Sequence, residues 1–107
     1  MSERNWNLFL EDIVESIELI EQFIQNMDYK DFTKDRKTID AVVRNFEIIS
    51  EASRNLPEDI KEKYPKIDWI GLVGLRNRVI HEYFGISLQI IWTIIKEDLL
   101  NLKEQLK

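Results

Sequence analysis

Trp6-Asn7-Leu8-Phe9-Leu10-Glu11-Asp12-Ile13-Val14-Glu15-Ser16-Ile17-Glu18-Leu19-Ile20-Glu21-Gln22-Phe23-Ile24-Gln25-Asn26-Met27 decides the fold class. Its apolar residues Trp6, Leu10, Ile13, Ile17, Ile20, Ile24 and Met27 recur at alternating spacings of four and three, the repeat of one helix face. Phe9, Val14 and Phe23 widen the stripe, so this helix is expected to bury two flanks. Asn5 or Ser2 can cap it.

The rest of the chain follows the same period. Asp28 to Asp35 reads as a short polar connection, with Thr33 and Asp35 as candidate N-caps. A second helix carries Ile39, Val42, Phe46, Ile49 and Leu56, and should stop before Pro57, because proline pushes the preceding residue out of the helical region. Pro57 to Lys63 reads as a short helical turn with proline at its first position, closed by Pro65. Asp68 is placed to cap a third helix from Trp69 to Tyr83, with Gly85 as its terminator. Ser87 starts a fourth, striped by Ile91, Ile94, Ile95, Leu99, Leu102 and Leu106. No stretch alternates as a strand would for more than a few residues. The expectation is an all-α, up-and-down four-helix bundle with a short extra helical turn, one domain over residues 1–107.

Composition narrows the chemistry. The 107 residues are 44% hydrophobic and 33% charged, enough apolar material for one core. With no cysteine, a disulfide scaffold, a thiolate zinc site and a cysteine nucleophile are excluded. The single histidine, His81, rules out a site that takes two imidazoles from one chain. The net charge of −5 sits mainly in residues 1–28, where seven acids face one base, Arg4. That balance argues against nonspecific nucleic-acid binding and leaves room for a local basic site. The start shows no basic, apolar export signal, and the uncharged run from Tyr83 to Ile95 is short of the ~20 residues a spanning helix needs. A cytoplasmic protein without membrane contact is expected. Three tryptophans and five phenylalanines are many for a monomer of this size, which points to a homodimer.

Glu47 and Glu51, four apart on the second helix, read as a solvated face rather than a metal pair, since no Glu-x-x-His accompanies them. No metal site is expected. Gly71 and Gly74 lie inside a helical pattern with no preceding strand, so they are not a phosphate loop; close helix packing is their expected role. The informative run is Leu75-Arg76-Asn77-Arg78-Val79-Ile80-His81-Glu82-Tyr83-Phe84-Gly85. Histidine titrates near neutrality and moves protons. Arginine offers a fixed cation with planar donors for phosphate, and asparagine can orient either group. Those are the groups that metal-free cleavage of an RNA phosphodiester needs.

Helical geometry sets a condition. At about 100° per residue, Asn77 and His81 share a face, whereas Arg76 and His81 diverge by about 140° and Arg76 lines up with Tyr83. Either the helix ends or loosens before His81, or two copies meet at a symmetric interface. A lone histidine near a helix C-terminus also serves as a cap for the dipole, and spacing does not choose between these roles.

Arg76-Asn77-x-x-x-His81-x-Tyr83 resembles the Arg-x4-His-x-Tyr signature of the HepT-like toxins in the HEPN superfamily of nucleases. The segments Trp6–Ile13, Trp69–Gly85 and Glu97-Asp98-Leu99 share the likeness, which runs the length of the chain. The resemblance implies a homodimeric helical bundle acting as a metal-independent endoribonuclease without a cofactor, with paired motifs facing each other across the dimer. It implies Arg76 and His81 as the catalytic pair, with Asn77 as the polar residue beside the arginine. Arg78 is a candidate additional phosphate contact. It further implies that Tyr83 accepts AMP from a cognate nucleotidyltransferase antitoxin, placing charge and bulk where RNA phosphate must sit. The competing expectation is a helical dimer that binds and assists a nucleotidyltransferase without cutting RNA.

Overall fold

The computed structural model describes residues 5–84 and 87–106, and for residues 80–84 the backbone alone. Helix α1 (Trp6–Phe23) starts where the Asn5 side chain accepts the Asn7 N–H at 2.9 Å. Ile13, Ile17 and Ile20 are fully buried against α3 (Arg36–Asn55), which answers with Val42, Phe46 and Ile49, also fully buried. Each such side chain contributes about 1.5–3 kcal/mol relative to exposure, so this pair of helices is the centre of the core.

Between them the chain departs from expectation. α1 ends at Phe23 rather than running to Met27, because Asn26 takes the left-handed conformation (φ 65°) and turns the chain. Asparagine tolerates that region better than most residues. The expected polar connection is itself a helix, α2 (Tyr29–Lys34). Asp28 accepts the Asp31 N–H at 2.8 Å while Asp31 accepts the Asp28 N–H at 3.1 Å, a reciprocal cap. α2 holds Phe32 fully buried, 5.1 Å from the Trp92 ring. Of the two candidate caps, Asp35 caps α3 through Thr38, and Thr33 lies inside α2.

α3 ends before Pro57 as expected, and Pro57 stands at the cap of α4 (Glu58–Lys61) rather than at its first helical position. The Trp69 indole N–H, shared between the carbonyls of Lys61 (3.1 Å) and Tyr64 (3.3 Å), ties this segment to α5 (Trp69–Val73). Asp68 caps α5 through the Gly71 N–H. Gly74 separates α5 from α6 (Leu75–Phe84); the expected terminator Gly85 lies outside the described residues, as does Ser2.

The last rod begins at Ser87 and comprises α7 (Leu88–Thr93), a π-helical stretch (Ile94–Asp98) and α8 (Leu99–Leu106). In the π stretch the Leu99 N–H reaches the Ile94 carbonyl, five residues back. This keeps Ile91, Ile94, Ile95, Leu99 and Leu102 all buried. α8 returns to α1, where Lys103 meets Glu21 at 2.9 Å and Glu18 at 3.7 Å. The result is the expected all-α bundle of four main rods, with α2 and α4 as short additions. Among the described residues no helix is long and apolar enough to cross a membrane.

Candidate active site

The rod carrying Arg76 is built around an interruption. In an unbroken helix the Arg76 N–H would bond the Leu72 carbonyl, four residues back. Here the Ser50 hydroxyl stands between them, accepting the Arg76 N–H at 2.8 Å and donating to the Leu72 carbonyl at 2.9 Å. A side chain inserted into the helical ladder is a recognised cause of a break, and this one falls beside Gly74. Ser50 is buried on α3, so its hydroxyl serves both backbone groups with no competition from water. Ser53, one turn further on, instead bonds back to its own helix at Ile49.

Among the described residues, the two glycines expected to allow close helix packing have their own segment, not a neighbouring helix, nearest them. A Cβ on Gly71 would strike the capping carboxylate of Asp68, so Gly71 makes room for a cap. Among the described residues, a Cβ on Gly74 would come nearest the Ile70 carbonyl, at 3.6 Å, an ordinary contact.

Arg76 projects from the first turn of α6, its side chain 49% exposed. Its Nε donates to Glu47 Oε2 at 3.3 Å, and its Nη1 donates to Asn77 Oδ1 at 3.3 Å. Arg76 and Asn77 are therefore brought together as the sequence suggested. Of the five N–H donors of a guanidinium, three have no partner among the described residues. Glu47 also approaches Arg44 Nη1 at 3.9 Å. It was expected on a solvated face; it holds Arg76 instead, whereas Glu51 pairs with Arg54 on the surface at 3.1 Å. A half-exposed pair such as Glu47–Arg76 contributes about 0–1 kcal/mol to stability, so its consequence is orientation. Nothing local in the sequence separates Ser50 from Ser53, the second buried hydroxyl of this helix, which bonds its own backbone. Nothing in the sequence paired Glu47 with a residue 29 positions away.

Arg78 stands apart from this group. It lines a cavity of about 280 Å³ between α5–α6 and the last rod, with Leu75, Ile94, Asp98 and Leu102 among its neighbours. α6 does not end before His81 but continues to Phe84, so positions 76, 77, 81 and 83 all lie on one helix. The side chains of His81 and Tyr83 are outside the described set. Among the described residues no three His, Asp or Glu side chains converge as metal ligands.

The sequence profile of the Ribonuclease HepT-like family matches residues 13–107, which includes all of these positions. The chain belongs to the HepT-like ribonuclease family. A Thermococcus cleftensis protein named as a probable ribonuclease HepT is 46% identical over 95 residues, covering 89% of this chain and 86% of its own. A Methanocaldococcus jannaschii protein named as a candidate RNase, MJ1380, is 42% identical over 107 residues, covering 100% of this chain and 98% of its own. A candidate RNase of Caldanaerobacter subterraneus, TTE0752, is 38% identical over 99 residues, covering 92% of this chain and 88% of its own. No solved structure matches the chain significantly. For a HepT-like ribonuclease the substrate is RNA, and the open donors of Arg76 have the geometry and charge that a phosphate takes.

Proposed function

We propose that this HepT-like chain is a metal-independent endoribonuclease toxin of a toxin–antitoxin pair, acting in the cytoplasm. Its site is Arg76-x4-His81, completed across a homodimer, and AMP transfer to Tyr83 by a partner nucleotidyltransferase silences it. The observation that carries this reading is the Arg76 guanidinium, held at Nε by Glu47 and at Nη1 by Asn77, with Nη2 free of partners among the described residues. In the proposed reaction Arg76, with Asn77 beside it, holds the scissile phosphate. One His81 takes the 2′-hydroxyl proton, the 2′-oxygen attacks phosphorus, and the 5′-oxygen leaves with a proton from the second His81. The products are a 2′,3′-cyclic phosphate and a free 5′-hydroxyl. Arg78, on the other flank, contacts a neighbouring phosphate along the strand.

Two constraints support the dimer. One chain has one histidine, and on a helix that continues to Phe84 positions 76 and 81 lie about 140° apart. A second copy answers both. Apolar surface is available for it: Ile70 on α5 is 88% exposed. In the silencing step the Tyr83 oxygen attacks the α-phosphorus of ATP, pyrophosphate leaves, and the phenolic proton passes to solvent. The adenylate then adds negative charge beside the RNA path.

The test is induced expression of wild type, His81→Ala and Tyr83→Phe, with RNA ends analysed from the same cultures. Growth arrest with cyclic-phosphate ends, lost in His81→Ala and kept in Tyr83→Phe, is expected. Unchanged cleavage by purified His81→Ala protein overturns the mechanism. A wild type that neither arrests growth nor cuts RNA moves the reading to a non-catalytic dimer that assists a nucleotidyltransferase.

A further inference from the structure

We propose that Glu47 and Ser50, one turn apart on α3, are positioning residues that together set the place and orientation of Arg76 for RNA cleavage. The inference rests on the reading above, in which Arg76 holds the scissile phosphate. It adds two residues outside the Arg76–Tyr83 motif, on a different helix and more than twenty positions away in sequence.

Ser50 acts on the backbone. Its hydroxyl fills the gap between the Arg76 N–H and the Leu72 carbonyl, so the residue that breaks the rod also anchors the first turn of α6 to α3. Arg76 therefore leaves the helix from a point fixed by the buried wall of the core. Without the hydroxyl the amide and carbonyl can close on each other, and the turn that carries Arg76 shifts toward α5. Glu47 acts on the guanidinium. It engages Nε, the nitrogen nearest the stem, and Asn77 engages Nη1, so the donors without a partner among the described residues are both of Nη2 and one of Nη1. A guanidinium held at two of its three nitrogens presents its remaining donors in one orientation, which lowers the entropic cost of gripping phosphate at the moment of reaction.

The charge of Glu47 separates this role from a passive one. A carboxylate near the RNA path opposes binding of a polyanion, so its removal leaves KM unchanged or lower. If Glu47 orients Arg76, its removal must lower kcat all the same. No merely structural role produces that split in a protein that melts normally.

The experiment uses the full chain and an RNA that the wild type cuts within total cellular RNA, resynthesised with a 5′ label. Wild type, Arg76→Ala, Glu47→Ala, Glu47→Gln and Ser50→Ala are compared for kcat, KM and thermal melting. Expected are a kcat at least about tenfold lower for Glu47→Ala with KM equal or lower, and partial recovery in Glu47→Gln, which keeps an acceptor. A comparable kcat loss is expected for Ser50→Ala. Wild-type kcat in Glu47→Ala and Ser50→Ala, beside an inactive Arg76→Ala, overturns the positioning role and leaves the ribonuclease reading intact. Faster cleavage by Glu47→Ala also overturns it, since Glu47 would then restrain Arg76. If wild type cuts no RNA, or Arg76→Ala cuts as well as wild type, the ribonuclease reading fails and this inference falls with it. Should Ser50→Ala not fold, the half-exposed Glu47 pair decides the matter, because its variants leave the core untouched.

Discussion

The Ser50 hydroxyl oxygen lies 2.8 Å from the Arg76 amide nitrogen, a hydrogen bond between helices that replaces one within a helix. Its energetic weight depends on what replaces it. Ser50→Val removes the hydroxyl and keeps bulk in the gap, stranding a buried amide and carbonyl at a cost of about 1–3 kcal/mol. Ser50→Ala leaves space for the two groups to meet, so it should cost less. Denaturant titration followed by circular dichroism orders the variants; Val no worse than Ala would mean that the hydroxyl is not bridging.

Lys103 joins α8 to α1. Its hydrogen bond to Glu21, reinforced by the charges of Glu21 and Glu18, raises the ammonium above its ordinary 10.5. Because the folded value lies above the unfolded one, the stabilisation is complete below about pH 10.5 and is lost as pH rises through the folded value. Lys103→Met should therefore flatten the alkaline fall in melting temperature. An unchanged alkaline slope in that variant would show that the link contributes nothing.

Asp35 behaves in the opposite sense. The Thr38 N–H, and then the Thr38 hydroxyl, hold its carboxyl below the ordinary 3.8. That contribution is present above the unfolded value and disappears as pH falls through the lower folded one. Asp35→Asn keeps a capping acceptor without a titrating group, so its melting temperature should fall less steeply as pH drops through and below the ordinary 3.8. Parallel curves for the two proteins would refute the assignment.

Gly71 and Gly74 should part company under the same substitution. Gly74 has an ordinary φ of −83° and room for a methyl, so Gly74→Ala should stabilise by about 0.4–1 kcal/mol. Gly71→Ala drives a methyl into the Asp68 carboxylate and disturbs a cap worth about 1 kcal/mol, which cancels the gain in helix propensity. Calorimetry of both variants resolves the difference; equal shifts would contradict the geometry.

Much of this architecture was legible because burial repeats with helical period. The stripe of α1 named Ile13, Ile17 and Ile20, and all three are fully buried. The caps Asn5, Asp35 and Asp68 were visible because a short polar side chain before an apolar run has few other roles. α2 escaped notice because six residues with one core side chain, Phe32, carry too little periodicity to register. The site divides along the same line. Arg76 and Asn77 are neighbours in sequence and meet in space, whereas Glu47 and Ser50 reach Arg76 only through the packing of α3 on α6. Contacts made by tertiary packing leave no local spacing to read.

The π-helical stretch at Ile94–Asp98 has a consequence for insertions and deletions. Losing one residue from an ordinary helix turns everything beyond it by about 100° and carries core side chains into water. Here the helix already holds one residue more than its flanking turns require, stored as a wider loop of backbone. Excision of exposed Glu97 would let the coil tighten to α geometry while Leu99, Leu102 and Lys103 keep their bearings. The last rod is thus a place where the length of this chain can change by one without a change in what it buries.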